Sequence, residues 1–407
     1  MIVIKNGFII ENNKLVNKDV FIKDSIIEKI SDTISSEEYS LDNIEVIDAK
    51  GCIVMPGAVD VHVHLREPGF TKKETVKTGT LSSAKGGVTT IMSMPNLNPC
   101  PDDVDSINLQ LDIINKDAVV NVYPFGSVTV DEKDMELADI DNFHHMVKAI
   151  SDDGRGVNNI KLLKKAMRLA KKYDLVIASH AEDNNYGLAP EGEYVAVRRE
   201  IEFAKEVGCK YHFCHMSTKE SFDAIRKAKA EGYTNITCEI APHHLVMNSN
   251  DIKNANWKMN PPLREEADRL ATVEALLDGT CDVIASDHAP HTEEEKSRKY
   301  DECPNGIIGL ETMIPIIYTN FVKNELISLD KFLELLVYNP IKIFKLPERK
   351  LEVGYAADIT CIDIENAHIY TKDEILSMGK NTPFIGNEYY GFTKYTLVNG
   401  KVVYKKD

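Results

Sequence analysis

Two imidazoles stand two residues apart in an otherwise apolar run, Pro56-Gly-Ala-Val-Asp-Val-His-Val-His-Leu-Arg-Glu-Pro-Gly69. Side chains at i and i+2 of a strand share a face. Asp60, His62, His64 and Arg66 are therefore expected on one side, and Val59, Val61, Val63 and Leu65 on the other. A His pair on one face, with an acid beside it to orient the rings, is a metal-binding strand. One strand cannot complete a coordination shell, so further ligands must come from other parts of the chain.

The elements that would supply them alternate between strand and helix. Strands are expected at 58–64, 89–94, 119–123, 146–150, 175–180, 211–215, 236–241 and 282–287, and apolar spacing of three and four predicts helices at 160–172, 194–207, 219–231 and 265–277. Eight such units predict an α/β fold, a (β/α)8 TIM-type barrel, whose active site lies at the carboxyl ends of the strands. Those ends carry His180, His215, Asp287 and the run Ser151-Asp-Asp-Gly154. With His62 and His64 they make four imidazoles and two or three carboxylates, a nitrogen and oxygen set suited to zinc and numerous enough for two ions. Carboxylates gathered at one mouth repel each other unless a cation joins them.

Short β signals also open the chain, at 2–4, 19–22, 26–30 and 44–48, and close it, at 358–364 and 395–404, where Asn399-Gly400 reads as a hairpin turn. The two ends are expected to pair into one small β domain. The expected organisation is 1–55 and 346–407 as the two parts of that domain, with the catalytic barrel at 56–345.

The chain has 407 residues with a formal net charge of -16, which opposes attachment to nucleic acid or anionic lipid. No apolar run is long enough to span a bilayer. Eight scattered cysteines without a Cys-x-x-Cys pair, in a chain with no signal-like opening, read as reduced thiols of a cytoplasmic protein. Small molecules and other proteins are the expected partners.

These motifs carry a resemblance. Asp60-Val-His-Val-His-Leu-Arg66-Glu-Pro-Gly69, Met94-Pro-Asn96, Asp152-Asp-Gly154, His180-Ala-Glu-Asp183, Cys214-His-Met-Ser-Thr-Lys219, Pro242-His-His244, Met259-Asn-Pro-Pro-Leu-Arg264 and Asp287-His-Ala-Pro-His291 resemble, in order and over essentially the whole chain, the amidohydrolase superfamily and within it the type I bacterial dihydroorotases. The resemblance implies reversible closure of N-carbamoyl-L-aspartate to L-dihydroorotate, a step of pyrimidine synthesis, with zinc as cofactor at one or two ions per subunit. It implies that His62, His64 and Asp287 hold one ion, that His180 and His215 hold the other, and that Asp153 bridges them. Asp287 is then the proton shuttle. Arg66, Asn96 and His291 are implied to bind the substrate carboxylate beside the ligand His64, and Asn260 to contact the ring. Asn305 and Gly306 are implied as backbone contacts. The resemblance admits a homodimer and association with a carbamoyltransferase.

Two features depart from the family pattern: the 183–200 stretch is shorter, and Pro304-Asn305-Gly306 stands where relatives commonly show Pro-Phe-Gly. His243 and His244 are expected to be structural, and His212 to pack or to support a ligand from behind. The charged 292–303 segment is expected as a mobile loop over the mouth. Two rival functions share these features. A hydantoinase or allantoinase would bridge its metals with a carboxylated lysine, for which Lys148 is the candidate, and a non-catalytic dihydroorotase-like subunit would have lost ligands.

Overall fold

The computed structural model describes residues 1–35 and 44–406. Its first unit is an eight-stranded sheet. At its centre β1 (Ile2–Glu11) runs antiparallel to β2 (Lys14–Lys23), which pairs with β3 (Ile26–Ser31), and parallel to β4 (Glu45–Asp48) and β5 (Cys52–Pro56). From the other end of the chain come β15 (Ile359–Asp363), antiparallel to β5, then β18 (Phe392–Val398) and β19 (Lys401–Lys405). Both chain ends thus share one sheet. Asn399 and Gly400 have φ of 48° and 70°, the left-handed pair that a tight hairpin demands. Ile4, Val20, Ile22, Ile27, Val54, Ile359 and Leu397 are buried together beneath this sheet.

The second unit is the barrel. Its strands are β6 (Ala58–Val63), β7 (Val88–Ser93), β8 (Asn121–Pro124) continued by β9 (Gly126–Ser127), β10 (Ala149–Ser151), β11 (Val176–Ser179), β12 (Lys210–Phe213), β13 (Ile236–Ile240) and β14 (Val283–Ile284). All neighbours pair in parallel. A parallel bridge between Val63 and His288, with His64 N–H donated to His288 O at 2.9 Å, joins the last strand to the first. A short hairpin of β16 (His368–Ile369) and β17 (Glu388–Tyr389) stands apart.

Most strands fall within one or two residues of their expected ranges, but the eighth is only Val283–Ile284 where 282–287 is expected, and the third and fourth are displaced. The third runs from 121 to 127 and breaks at Phe125, so that β8 pairs with β7 and β9 with β10. The fourth begins only at Ala149, because Ile140–Phe143 forms a helical turn and Met146 N–H closes onto Phe143 O. The crossover helices start where the chain supplies caps: Thr75 boxes Val76–Lys85, Asp103 boxes Val104–Asp117, and Pro190 opens Pro190–Val207, which ends on the left-handed Gly208. Their apolar faces and the barrel strands share one core that includes Phe125, Phe143, Phe213, Phe222 and Phe344. The sheet and barrel are tied by Asp358, whose carboxylate accepts from Asn121 Nδ2 (2.9 Å), Arg349 Nε (2.5 Å) and the Asn399 backbone (2.6 Å).

Candidate functional site

Each buried ligand candidate lies just beyond, or in the last turn of, a barrel strand. His62 closes β6 and His64 follows it, Asp153 follows β10, His180 follows β11, His215 follows β12 and Asp287 follows β14. The Asp153 carboxylate is the hub. Its Oδ1 lies 3.4 Å from His62 Nε2, 3.5 Å from His180 Nδ1 and 3.4 Å from His215 Nε2, and its Oδ2 lies 3.4 Å from His64 Nε2. Asp287 Oδ1 stands 3.5 Å from His62 Nε2 and 3.4 Å from His64 Nε2.

These separations are long for hydrogen bonds but fit a metal. Donors held about 2.0–2.1 Å from one tetrahedral ion are about 3.3–3.4 Å apart. Two of the atoms concerned, His62 Nε2 and Asp153 Oδ1, are buried without a hydrogen-bond partner, and a buried orphan of this kind calls for an occupant. The residues present therefore fit a metal cofactor, as two sets that share Asp153: His62, His64 and Asp153, and Asp153, His180 and His215. A third grouping, His62 with Cys214 and Glu239, lies behind the His62 ring, where Nδ1–H is already donated to Glu239.

The rings are oriented from behind. His62 donates Nδ1–H to Glu239 Oε1 at 2.6 Å, leaving Nε2 for the site. His180 places Nε2 3.2 Å from Glu182 Oε2, which leaves Nδ1 inward. Strand parity predicts that Asp60 orients the rings of its own strand, and it does not. Its oxygens accept backbone N–H groups of His62 and Ser286 and so lace the first strand to the eighth. Asp152 is likewise used up, accepting from Val128 N–H (2.7 Å), Thr129 N–H (3.1 Å) and the Thr129 hydroxyl. That leaves Asp153 to face inward.

Electrostatics follow from this crowding. Burial alone would raise the Asp153 carboxyl, but His62, His180 and His215 reverse this and hold it well below the usual range. Asp287 is lowered in the same way by His64, His62 and His215 against the effect of burial. His180 is pushed up to about 9, where Asp153 and Glu182 outweigh burial. Both carboxylates are thus anionic at neutral pH. Arg66, His215 and Asp287 have φ of 61°, 35° and 50°; non-glycine residues pay strain in this region, and such strain gathers at functional sites.

Above the cluster opens a cavity of about 430 Å³ lined by His64, Arg66, Asn96, Asp153, Arg155, Asn260, Asp287, His291, Asn305 and Gly306 among others. Every expected substrate contact therefore reaches one pocket. Asn96 donates its amide to Glu132 (3.1 and 3.2 Å) and to Asp153 O (2.7 Å), and Asn260 donates to Glu182 Oε2 at 3.0 Å. His291 Nε2 donates to Asn305 O at 2.7 Å. At Gly306, φ is 130° and an added Cβ would meet Ala289 at 2.8 Å and His291 Nε2 at 3.1 Å, so no side chain fits. Its N–H is already given to Lys258 O.

The 292–303 segment forms helical turns, Glu293–Lys296 under a Thr292 capping box and Tyr300–Glu302, in place of an open loop. Lys296 anchors it with bonds to the carbonyls of Lys258, Pro304 and Gly306. His244 donates to Pro261 O, and neither it nor His243 belongs to a candidate metal group. Sequence reasoning missed Glu239, Glu182 and Glu132. The signal for Glu239 was there, a lone acid inside the apolar strand Ile236-Thr-Cys-Glu-Ile240.

Comparison with known proteins agrees with this geometry. A family model described as dihydro-orotase-like matches residues 51–221. A dihydroorotase of Fusobacterium nucleatum is 43% identical, covering 98% of this chain and 98% of its own, and one of Bacillus cereus is 42% identical, covering 99% and 98%. Among solved structures, an L-hydantoinase (dihydropyrimidinase) from Arthrobacter aurescens superposes with a TM-score of 0.88 at 25% identity, over 100% of this chain and 96% of that one. A D-hydantoinase from a Bacillus species gives 0.85 at 23% identity, over 100% and 95%, a likeness of fold.

Proposed function

The chain belongs to the dihydroorotase family, and we propose that it interconverts N-carbamoyl-L-aspartate and L-dihydroorotate at the barrel mouth, using zinc held by His62, His64, Asp153, His180, His215 and Asp287. The observation that carries this reading is the Asp153 hub, with four imidazole nitrogens 3.4–3.5 Å from its two oxygens. Cations bound there supply Lewis acidity toward a carbonyl oxygen and a lowered pKa for water.

The chain's own residues do the rest. In the hydrolytic direction Asp287 accepts the proton of the attacking water at its carboxylate and returns it to the ring nitrogen as the C–N bond breaks. In cyclisation the proton travels the other way. Arg66, Asn96 and His291 hold the carboxylate that both compounds share, with the guanidinium offering two parallel donors. Asn260 faces the ring, and Asn305 and Gly306 close the pocket wall. A hydantoinase reading is opposed by Asp153 at the hub of the imidazole cluster and by the place of Lys148, which is exposed ahead of β10. A non-catalytic subunit is opposed by the complete ligand set.

The test is to strip the protein with a chelator, reconstitute it with zinc, and follow dihydroorotate formation and loss at several pH values alongside metal content. Turnover should track metal content. Activity on a hydantoin with none on dihydroorotate would overturn the reading. Arg66→Gln should raise KM for dihydroorotate by about 100-fold, since a charge-assisted hydrogen bond is worth about 1.5–3 kcal/mol, with a smaller effect on kcat. Steady-state kinetics decide it. Protease nicking within 297–303 should slow when dihydroorotate is bound, because the segment reaches the pocket through Glu295, which lies 3.2 Å from His291 Nδ1 and 3.0 Å from Lys73 Nζ. Equal cutting with and without ligand would remove this segment from a closing role.

The same reading includes a division at 1–55, 56–345 and 346–407, supported by the sheet that both ends build. A homodimer and association with a carbamoyltransferase rest on family resemblance. Among the described residues no helix is long and apolar enough to cross a membrane. A cytoplasmic setting is supported by eight cysteines that are all buried and unpaired.

A further inference from the structure

Glu239 sits in the middle of β13, inside the barrel and 1% exposed. Its carboxylate receives three donors: His62 Nδ1–H on Oε1 at 2.6 Å, the His215 backbone N–H on the same oxygen at 3.2 Å, and His212 Nε2–H on Oε2 at 3.1 Å. Behind it, Thr237 Oγ1 lies 2.8 Å from His212 Nδ1. The direction of each bond follows from the inventory of donors. An ionised carboxylate only accepts, so His62 must carry its proton on Nδ1 and present the Nε2 lone pair to the site. By the same rule His212 carries its proton on Nε2, and its Nδ1 accepts from the Thr237 hydroxyl. The chain of contacts thus runs without a gap from the Thr237 hydroxyl through His212 and Glu239 to His62 Nδ1.

One oxygen of Glu239 therefore touches a ligand candidate from each set, the ring of His62 and the backbone of His215. His215 is held at φ 35°, a conformation that needs support from outside the residue. We propose that Glu239, braced by His212 and Thr237, is the positioning residue of the metal centre: it fixes the tautomer and ring angle of His62 and the strained backbone of His215, and so sets the spacing of the two ligand sets together. The inference rests on the reading of His62 and His215 as ligands.

The experiment compares Glu239→Gln, Glu239→Leu and His62→Ala with the unaltered chain. Each is stripped of metal, and its affinity for zinc and for cobalt(II) is measured by chelator competition, with the cobalt visible spectrum and the metal-free thermal midpoint recorded. Removal of a carboxylate behind a ligating His costs about 10–100-fold in metal affinity. Leu, which offers no acceptor, should stand near 100-fold, and Gln, which keeps one oxygen for His62, near 10-fold. The cobalt spectrum should shift in both. A role limited to filling the barrel core would lower the thermal midpoint without moving the spectrum or the affinity, and that result overturns the proposal. Should the Leu variant fail to fold, the near-isosteric Gln variant decides alone, wild-type affinity and spectrum counting against. His62→Ala separates the two layers. If it loses metal while Glu239→Gln does not, the positioning role falls and the ligand reading stands; if it binds metal as the unaltered chain does, the ligand reading itself falls and the proposal with it.

Discussion

Asp287→Asn should leave the fold intact and lower kcat in both directions by at least about 10³-fold, within the range that a positioned acid or base contributes. Asp287 is buried at the end of β14 with φ 50°. Asn tolerates that backbone nearly as well as Asp, so the substitution should not strain the turn. What changes is proton chemistry. His64, His62 and His215 hold the carboxyl below its usual range in spite of burial, so it is ionised and ready to accept a proton at neutral pH, whereas an amide oxygen is not basic enough to do so. The effect has two sources, because the same Oδ1 stands 3.4–3.5 Å from His64 and His62 Nε2 and Asn is also a poorer ligand. Metal content measured on the same sample separates them: full zinc with no turnover assigns the loss to the proton. Near-normal rates in the Asn variant would remove Asp287 from the shuttle.

The barrel was legible because its strands are apolar runs that end on polar residues, and that signal survives errors in where each strand begins. The fourth strand shows the limit. Met146-Val-Lys-Ala-Ile150 reads as one β run, yet the turn that follows the helical residues Ile140–Phe143 holds Met146 through its N–H on Phe143 O and the strand starts only at Ala149, a local turn that the apolar pattern does not mark. The histidines that gather around Asp153 were legible for the same reason as the strands, since each closes an apolar run. What parity did not foretell is the partner of each ring. Asp60 shares a strand with His62 and was the natural candidate, but it is spent on the Ser286 and His62 backbone, while the acid that holds His62 comes from Glu239, 177 positions away. A supporting contact between the first and seventh strands, which closure of the barrel brings to either side of β14, leaves no periodic trace in sequence. Only the oddity of an acid in an apolar strand marks it.

Reconstitution of the metal-free protein with zinc should restore activity equally with and without bicarbonate, and Asp153→Ala should recover none of it, a loss of at least about 10³-fold, the order expected when the groups that generate and receive the reacting proton are disassembled. The alternative bridge is a lysine carrying carbon dioxide. It needs a long stem that starts deeper in the fourth strand, and Lys148 is the candidate by position. In the fold Lys148 is exposed and precedes β10, with its carbonyl accepting from Val176 N–H at the amino end of the neighbouring strand. Five residues of extended chain separate it from Asp153, on the order of 15 Å at about 3.3 Å per residue, well beyond the reach of a lysine side chain. Lys161 is exposed on the helix Ile160–Tyr173. Asp153, by contrast, is 3% exposed and already presents Oδ1 to His180 and His215 and Oδ2 to His64. It is anionic without modification, so carbon dioxide has nothing to add. Its short arm holds both ligand sets close to one carboxylate, so Asp153→Asn, which keeps the shape and loses the charge, should weaken the His180 and His215 site first and leave about one zinc per chain. A strong bicarbonate requirement that disappears in Lys148→Ala would show that the bridge is the lysine, and that Asp153 lies beside the metals without joining them.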